Sequence, residues 1–353
     1  MLSIFDNVVK RFSRGIGIDL GTSNSLVYLE GEGIIMREPT IIAVNKKTQR
    51  IVAIGKEAKV MLGKTPPHIE VVRPLKDGVI WNFEIAEELV GYYVQEAVKR
   101  IKSFLYVTPR VIVGAPVSIT SVQNQALMDV LLHTGAKYGY IVPEPFAAAV
   151  GMEINVLESF GICVVDIGGG TTDMALISMG GIVLGKSIST AGDELTRLIQ
   201  ETLRLNFQLY VGDSTAEEIK IKIASIIEND ESMCIARGRD IVSGLPREIS
   251  LSSQDIYPCV YTVVEKILTA LSDVLSDAPP ELAQDILNGG IILAGGGAYL
   301  RGLKEVIESE MGVRVHIDNN PLETVIKGIG IMIENFDTYE PIMKNFYGTF
   351  DAQ

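Results

Sequence analysis

The run from Ile162 to Asp173, Ile-Cys-Val-Val-Asp-Ile-Gly-Gly-Gly-Thr-Thr-Asp, constrains this chain more than any other stretch. An apolar, β-prone segment broken only by Asp166 gives way to three glycines and two hydroxyls, which is the pattern of a strand feeding a tight polar turn. Gly168, Gly169 and Gly170 lack the Cβ that would keep backbone N–H groups off an anion. Thr171 and Thr172 add hydroxyl donors, and Asp166 can hold water on a divalent cation. Phosphate plus magnesium is the chemistry that suits such a turn. Taken alone, a glycine-rich hairpin can also be only a turn.

Two further stretches narrow the choice. Gly15 to Ser25 repeats the design, with an apolar run, Asp19 and Gly21 followed by Thr22, Ser23 and Asn24. Ile291 to Ala298 is another buried-strand pattern ending in Gly295, Gly296, Gly297 and Ala298, with a helical segment expected from Tyr299. Three glycine-rich loops in this order, each closing an apolar strand, form a specific set. The order resembles the actin-like ATPase superfamily. That resemblance implies an α/β, actin-like ATPase fold of two duplicated ribonuclease-H-like domains, with small subdomain inserts around a nucleotide cleft. Two hairpins would clasp the phosphates and the third glycine run would meet the adenosine.

Composition bounds the rest. At 353 residues and 47% hydrophobic the chain is long enough for two domains with their own cores. A formal charge of −13 argues against nucleic acid as a partner, because phosphate-backbone binders carry basic stripes. Cys163, Cys234 and Cys259 are odd in number and show no CxxC spacing, so they read as reduced cytosolic thiols. His68, His133 and His316 are scattered without ligand spacing, which argues against zinc. No apolar stretch reaches transmembrane length and no signal-peptide core begins the chain, so a cytosolic protein is expected.

In chain order, Met1 to Arg14 reads as an amphipathic helix. Met1, Phe5, Val8 and Phe12 recur at helical spacing beside Leu2, Ile4 and Val9, and three basic side chains oppose one acid. That favours an anionic leaflet over docking on the protein itself or a loose tail. Short strands are expected over Ile34 to Arg50 with a turn at Asn45-Lys46-Lys47, then a helix over Lys56 to Leu62, the small unit ending at Pro66-Pro67. An i, i+4 ladder predicts a long helix from Glu84 to Leu105, after which Phe104, Leu105 and Tyr106 form a second candidate membrane contact or ordinary core. Val111 to Ala115 reads as a strand leading to a helix capped near Thr120 or Ser121. Glu144, in Pro143-Glu144-Pro145, falls at a strand-to-helix junction. A carboxylate so placed can orient water toward a γ-phosphate, or merely cap the helix.

In the second half, Gly192-Asp193-Glu194 begins a helix, and Thr215 to Glu218 is expected to form a capping box for another. Met233 to Leu251 reads as strands and turns. Val260, Val263, Val264, Ile267 and Leu271 mark an amphipathic helix, Val313 to Ile317 a strand and Leu322 to Ile333 a helix; the tail from Asp337 gives no strong signal.

The closer resemblance is to the MreB family of bacterial actin homologues. It rests on Gly-Ile-Asp-Leu-Gly-Thr at 17 to 22, Arg-Glu-Pro-Thr at 37 to 40, Arg-Pro-Leu-Lys-Asp-Gly-Val-Ile at 73 to 80 and Glu-Pro-Phe-Ala-Ala-Ala at 144 to 149. Asp-Ile-Gly-Gly-Gly-Thr-Thr at 166 to 172, Ala-Gly-Asp-Glu at 191 to 194, Thr-Ala-Glu at 215 to 217 and Gly-Gly-Gly-Ala at 295 to 298 continue it across nearly the whole chain. The resemblance implies residues 1–155 with 321–353 as one domain, its insert at about 43–75, and 156–320 as the other, its insert at about 192–252. It implies ATP, or alternatively GTP, with Mg2+. Thr22 to Asn24 and Gly169 to Thr171 would hold phosphates, while Gly192, Glu217, Glu218, Ile219, Lys220 and Gly295 to Ala298 would lie near the ribose and base. Glu144 and Thr171 would orient the attacking water, with Asp19 and Asp166 near the metal.

Implied function is a slow ATPase forming membrane-associated homopolymers, with paired protofilaments, that direct cell-wall synthesis and maintain rod shape. Partners of the MreC, MreD and RodZ type, and a place on the inner face of the cytoplasmic membrane, follow from the same resemblance. A nucleotide-binding scaffold with negligible hydrolysis and a small-molecule kinase are the alternatives. Three departures stand out: Pro143 where the family has an acid, Val122-Gln123-Asn124-Gln125 in place of a charged run, and Asp173 in place of Glu.

Overall fold

The computed structural model describes residues 13–101 and 109–351. Met1, Leu2, Ile4, Phe5, Val8, Val9 and Phe12, and the pair Phe104 and Leu105, lie outside the described residues.

The chain opens with the hairpin β1 (Gly15–Leu20) and β2 (Asn24–Leu29) and continues into β3 (Gly33–Pro39). Next come β4 (Ile42–Asn45), β5 (Ile51–Ile54), α1 (Lys56–Met61) and β6 (Ile69–Val72), a small sheet in the order β5-β4-β6. This unit runs past the expected end at Pro66-Pro67, because β6 adds antiparallel to β4. A two-stranded hairpin, β7 (Leu75–Lys76) and β8 (Val79–Ile80), precedes α2 (Phe83–Arg100), β9 (Arg110–Ala115), α3 (Ser121–His133), β10 (Tyr138–Pro143) and α4 (Glu144–Gly151). The second half brings β11 (Ile162–Ile167), β12 (Thr172–Ser178), β13 (Gly181–Ile188), α5 (Gly192–Asn206), β14 (Leu209–Tyr210), α6 (Asp213–Ile223), β15 (Met233–Asp240) and β16 (Pro246–Ser252). It closes with α7 (Ser253–Ser276), α8 (Pro280–Gly289), β17 (Ile291–Ala294), α9 (Leu303–Met311), β18 (Val315–Ile317), α10 (Thr324–Glu334), α11 (Phe336–Phe346) and β19 (Thr349–Asp351).

One plan is used twice. The first large sheet runs β3-β2-β1-β9-β10 with β19 added at its edge, and the second runs β13-β12-β11-β17-β18. In each, three antiparallel strands are followed by two parallel ones reached through a helix. Central strands β9 and β11 are buried along their whole length, as parallel strands covered on both faces must be.

Several elements differ from expectation. α2 stops at Arg100, where Ile101 turns extended and Lys99 and Arg100 face the negative end of the helix dipole. Thr215 to Glu218 caps nothing: α6 already starts at Asp213, which accepts a hydrogen bond from Gln200 of α5 and so fixes the entry two residues earlier. After Gly295 a single 3-10 turn covers Gly296–Tyr299, and the helix proper begins at Leu303. The tail is ordered, since Phe336 and Met343 bury one face of α11 and β19 pairs antiparallel with β10.

The two sheets are joined through a shared core. Ile112 and Tyr140 from the first, and Val164, Ala175 and Ile292 from the second, pack around α4 and α10. Those helices cross at backbone contact, because a methyl at Gly328 would overlap the Ala147 carbonyl and one at Gly151 would overlap that of Thr324. Gly328→Val should therefore destabilise the protein by about 3 kcal/mol through overpacking. Urea unfolding of the purified variant measures it, and a value within 0.5 kcal/mol of the parent, estimated as the usual surface-substitution range, would mean that the crossing is not tight.

Candidate functional site

Strand register brings the acids together. Asp19 of β1 lies opposite Gly114 of β9, which lies opposite Val142 of β10, two residues short of Glu144. In the second sheet Asp166 of β11 is opposite Ala294 of β17 and, across the hairpin, Asp173 of β12. Asp19, Gly114, Val142, Asp166 and Ala294 stand at the carboxyl ends of their strands, where open α/β sheets place their ligand sites, and Asp173 joins them from the start of antiparallel β12. Pro143 ends β10 and N-caps α4 in extended conformation, so Glu144 is the first helical residue.

The turns of the two hairpins touch. A methyl on Gly169 would overlap the Ser23 side chain, and one on Gly170 would overlap that of Thr22. Glycine is thus required at both positions by close approach. Asp193, at the start of α5, fastens the seam: it accepts from Ser23 Oγ at 3.1 Å and from Arg73 Nη1 at 3.2 Å, while its N–H donates to Gly169 O at 2.7 Å. The β7–β8 turn covers the same point, with Asp77 and Gly78 both left-handed and Gly78 N donating to Thr22 Oγ1 at 3.0 Å. Behind the first turn, Thr40 donates its hydroxyl to Gly21 O at 2.6 Å and its N–H to Ser23 O at 3.0 Å.

Asp166 and Asp173 are buried, whereas Asp19 and Glu144 keep an open face. Even so, the protein packed around them is dense enough that desolvation is the largest influence on all four. It pushes the Asp19 carboxyl up to about 7. Glu144 is raised well above the usual carboxylate range by burial and then by the charges of Asp173, Asp166 and Asp19, in that order. Asp166 is raised by burial and by Asp19 and Asp173. Asp173 is raised by burial, and partly drawn back by the Val117 N–H and the Thr171 and Ser187 hydroxyls.

On the far side of the second turn, Gly192 N donates to Gly168 O at 3.3 Å and Gly192 O accepts from Lys220 Nζ at 2.9 Å. Lys220 also pairs with Glu217 at 2.7 Å, and Thr196 donates to Glu217. Gly295 is left-handed, and a methyl there would overlap Asp166 and the Ile167 carbonyl; Gly297 is pressed against Ile167 in the same way. Structure therefore gathers Gly168 to Thr171, Gly192, Glu217, Lys220, Gly295 and Gly297 around the second turn. Ile219 instead packs in the core, Glu218 lies exposed beside Lys222, and Ala298 faces the core.

A family profile described as MreB/Mbl protein matches residues 13–341. The cell shape-determining protein Mbl of Bacillus subtilis is 41% identical over 327 residues, covering 92% of this chain and 97% of that protein. The chain belongs to the MreB/Mbl family. Cell shape-determining protein MreB of Escherichia coli is 38% identical over 333 residues, covering 93% of this chain and 95% of its own. A crystal structure of MreB 5 of Spiroplasma citri bound to AMPPNP superposes with a TM-score of 0.86 at 35% identity, covering 93% of this chain and 98% of that one. The fold is accordingly the actin-like α/β ATPase fold.

A nucleotide site of this fold implies magnesium. Among the described residues no three His, Cys, Asp or Glu side chains converge as a ready-made metal cage. Asp19 and Asp166 instead offer two carboxylates beside turns rich in N–H donors, a set that fits a cation held mainly by phosphate oxygens and water. The repulsion that neighbouring acids exert on Glu144 and Asp166 fits it too.

Asp173, Asp193, Thr40 and the Asp77-Gly78 turn escape a motif reading centred on glycine runs. The Asp-Gly pair between two short apolar segments is itself a hairpin signal. Thr40 closes the Arg-Glu-Pro-Thr run, yet nothing in the sequence says which loop it braces.

Acids that bind protons more tightly when folded stabilise the fold at low pH and cease to do so as pH rises. For Asp19 the window runs from about 4, the unfolded value, to about 7. Melting of the magnesium- and nucleotide-free protein should therefore fall in temperature as pH rises across that window. Asp166→Asn should flatten the fall, whereas Asp337→Asn, on the exposed face of α11, should not. Equal slopes for the three proteins in scanning calorimetry would contradict the mutual repulsion described.

Proposed function

We propose that this chain is an ATP-dependent, filament-forming cytoskeletal protein that directs cell-wall synthesis and maintains rod shape. One observation carries the reading: two glycine-and-hydroxyl turns, one from each sheet, meet over a floor of four carboxylates. The relatives' names as cell shape-determining proteins and the AMPPNP held by a solved family member support it.

In this proposal residues 1–155 with 321–353 form one domain and 156–320 the other, and ATP lies between them. Backbone N–H groups of Thr22 to Asn24 and Gly168 to Thr171 receive the phosphates. Gly192, Glu217 and Lys220 border the ribose, with Gly295 to Gly297 against the base. Asp19 and Asp166 would hold water around a magnesium ion, which would supply positive charge beside the phosphates. Glu144 accepts a hydrogen bond from the attacking water and takes its proton, with the Thr171 hydroxyl as second anchor. Dense protein and three neighbouring acids make Glu144 more basic than a free carboxylate. Among the described residues the charges that act on Glu144 are all acidic, and phosphoryl transfer with no arginine finger is slow. Slow hydrolysis suits a clock for assembly better than a metabolic enzyme.

Copies of the chain are the principal partner, as paired protofilaments. The basic segment of residues 1–14, amphipathic if helical, would with Phe104 and Leu105 hold filaments on the inner face of the cytoplasmic membrane, where MreC-, MreD- and RodZ-type proteins are the expected associates. ATP is the proposed nucleotide, with GTP as competitor.

Glu144→Gln should bind ATP within about threefold of the parent while single-turnover phosphate release falls about a hundredfold. Rapid-quench measurement decides it, and equal rates would remove Glu144 from the mechanism. Sedimentation with ATP and anionic liposomes tests assembly; a protein that binds ATP and stays monomeric there would overturn the filament.

A further inference from the structure

The end of the chain reaches the acid cluster. Tyr347 follows the last residue of α11 and lies half-buried beside the junction of β9 and α3. Its hydroxyl has two backbone acceptors within reach, Pro116 O at 3.0 Å and Val117 O at 2.9 Å. Val117 in turn donates its N–H to Asp173 Oδ1 at 2.8 Å. Of the three acids acting on Glu144, Asp173 exerts the largest effect.

The junction is gripped from other sides as well. Asn124 of α3 donates its amide to Tyr347 O at 2.8 Å, which sets the height of the ring. Val117 packs against Gly185 of β13, where even a methyl would press on its Cγ2. The peptide unit between Pro116 and Val117 is thus held at both ends, its carbonyl by the Tyr347 hydroxyl and its N–H by Asp173. The charges of Asp173 and Glu144 are felt at that hydroxyl and, with burial, keep it protonated and donating.

We infer that Tyr347 is a positioning residue: through the Pro116–Val117 turn it holds Asp173 in place against Glu144, tying the C-terminal segment to the hydrolytic site. The inference rests on the reading of Glu144 as the residue that orients water. Phenylalanine at 347 keeps the ring and its packing and removes only the hydroxyl, so a carbonyl turn freed to rotate carries the Val117 N–H off Asp173.

The test is Tyr347→Phe in the full chain, with ATP and magnesium as the probe. Single-turnover hydrolysis at saturating ATP should fall about tenfold, the scale expected when a reacting group is slightly misplaced, while ATP affinity stays within about twofold. Hydrogen exchange at the amide of Val117 should accelerate, with that of residues 19–25 unchanged. Asn124→Ala, which leaves the hydroxyl but frees the tyrosine backbone, should move both readouts the same way by less. An unaltered hydrolysis rate beside faster exchange would make Tyr347 an anchor of the tail only and overturn the inference, as would unaltered exchange. If the parent and Glu144→Gln hydrolyse ATP alike, the reading of Glu144 has failed; exchange at Val117 then decides alone whether the hydroxyl holds the turn.

Discussion

Like charge held against itself is the constraint on which this structure turns. Asp19, Glu144, Asp166 and Asp173 come from four strands or strand ends of two sheets, and each is raised by burial, Glu144 also by the charges of the other three and Asp166 by those of Asp19 and Asp173. A fold that concentrates acids in this way gives up stability in order to favour whatever positive charge arrives with an anion. The clamps around the site are intelligible as the means of holding that arrangement. Asp193 ties Ser23 and Arg73 to the second turn, Thr40 ties Gly21 and Ser23 from behind, and Gly78 covers Thr22.

Duplication explains how two separate sheets present matching turns. Each repeats the same strand order, so each ends its first hairpin in an acid followed by a glycine-bearing turn. The halves are then locked by α4, which leaves the first sheet beside Glu144, and α10, which returns from the second. Their crossing is tight because Gly151 and Gly328 offer no side chain. Ile329 and Ile333 of α10 fill the space over Gly17 and Gly15 of β1, so the helix that joins the halves also backs the strand carrying Asp19.

Most of this architecture was legible in the sequence because it is written in local chemistry. Glycine runs after β-prone segments, the Pro-Glu-Pro junction and the apolar ladders of α2 and α7 each announce an element within a dozen residues. What escaped is written across distance. Asp173 looks like an ordinary residue of β12 until Val117 and Glu144 surround it, and Thr40 gains meaning only when β3 folds back on the first turn. Boundaries failed where a tertiary contact outbid local propensity, as at Asp213, which is captured by Gln200, so that Thr215 enters the first turn rather than capping it. The tail was missed although Phe336, Tyr339, Met343 and Phe346 stand at helical spacing, because Pro341 and Gly348 punctuate it as a loop would.

Two departures from the family pattern acquire a physical account. Pro143 lacks an N–H, and proline in a strand is tolerated at positions where no second neighbour claims one. β19 pairs with β10 only from Tyr138 to Tyr140, so Pro143 has β9 alone beside it. Its fixed φ of −63° also suits the residue before a helix, which leaves the direction of Glu144 set by α4 rather than by the strand. Asp173 is one methylene shorter than glutamate, and the lost reach is met from the other side. The Val117 N–H comes to 2.8 Å of its carboxylate, and the turn that presents this N–H is the one fastened by Tyr347. A shorter side chain held by a backbone donor has fewer rotamers to lose, which suits a fixed place for this acid.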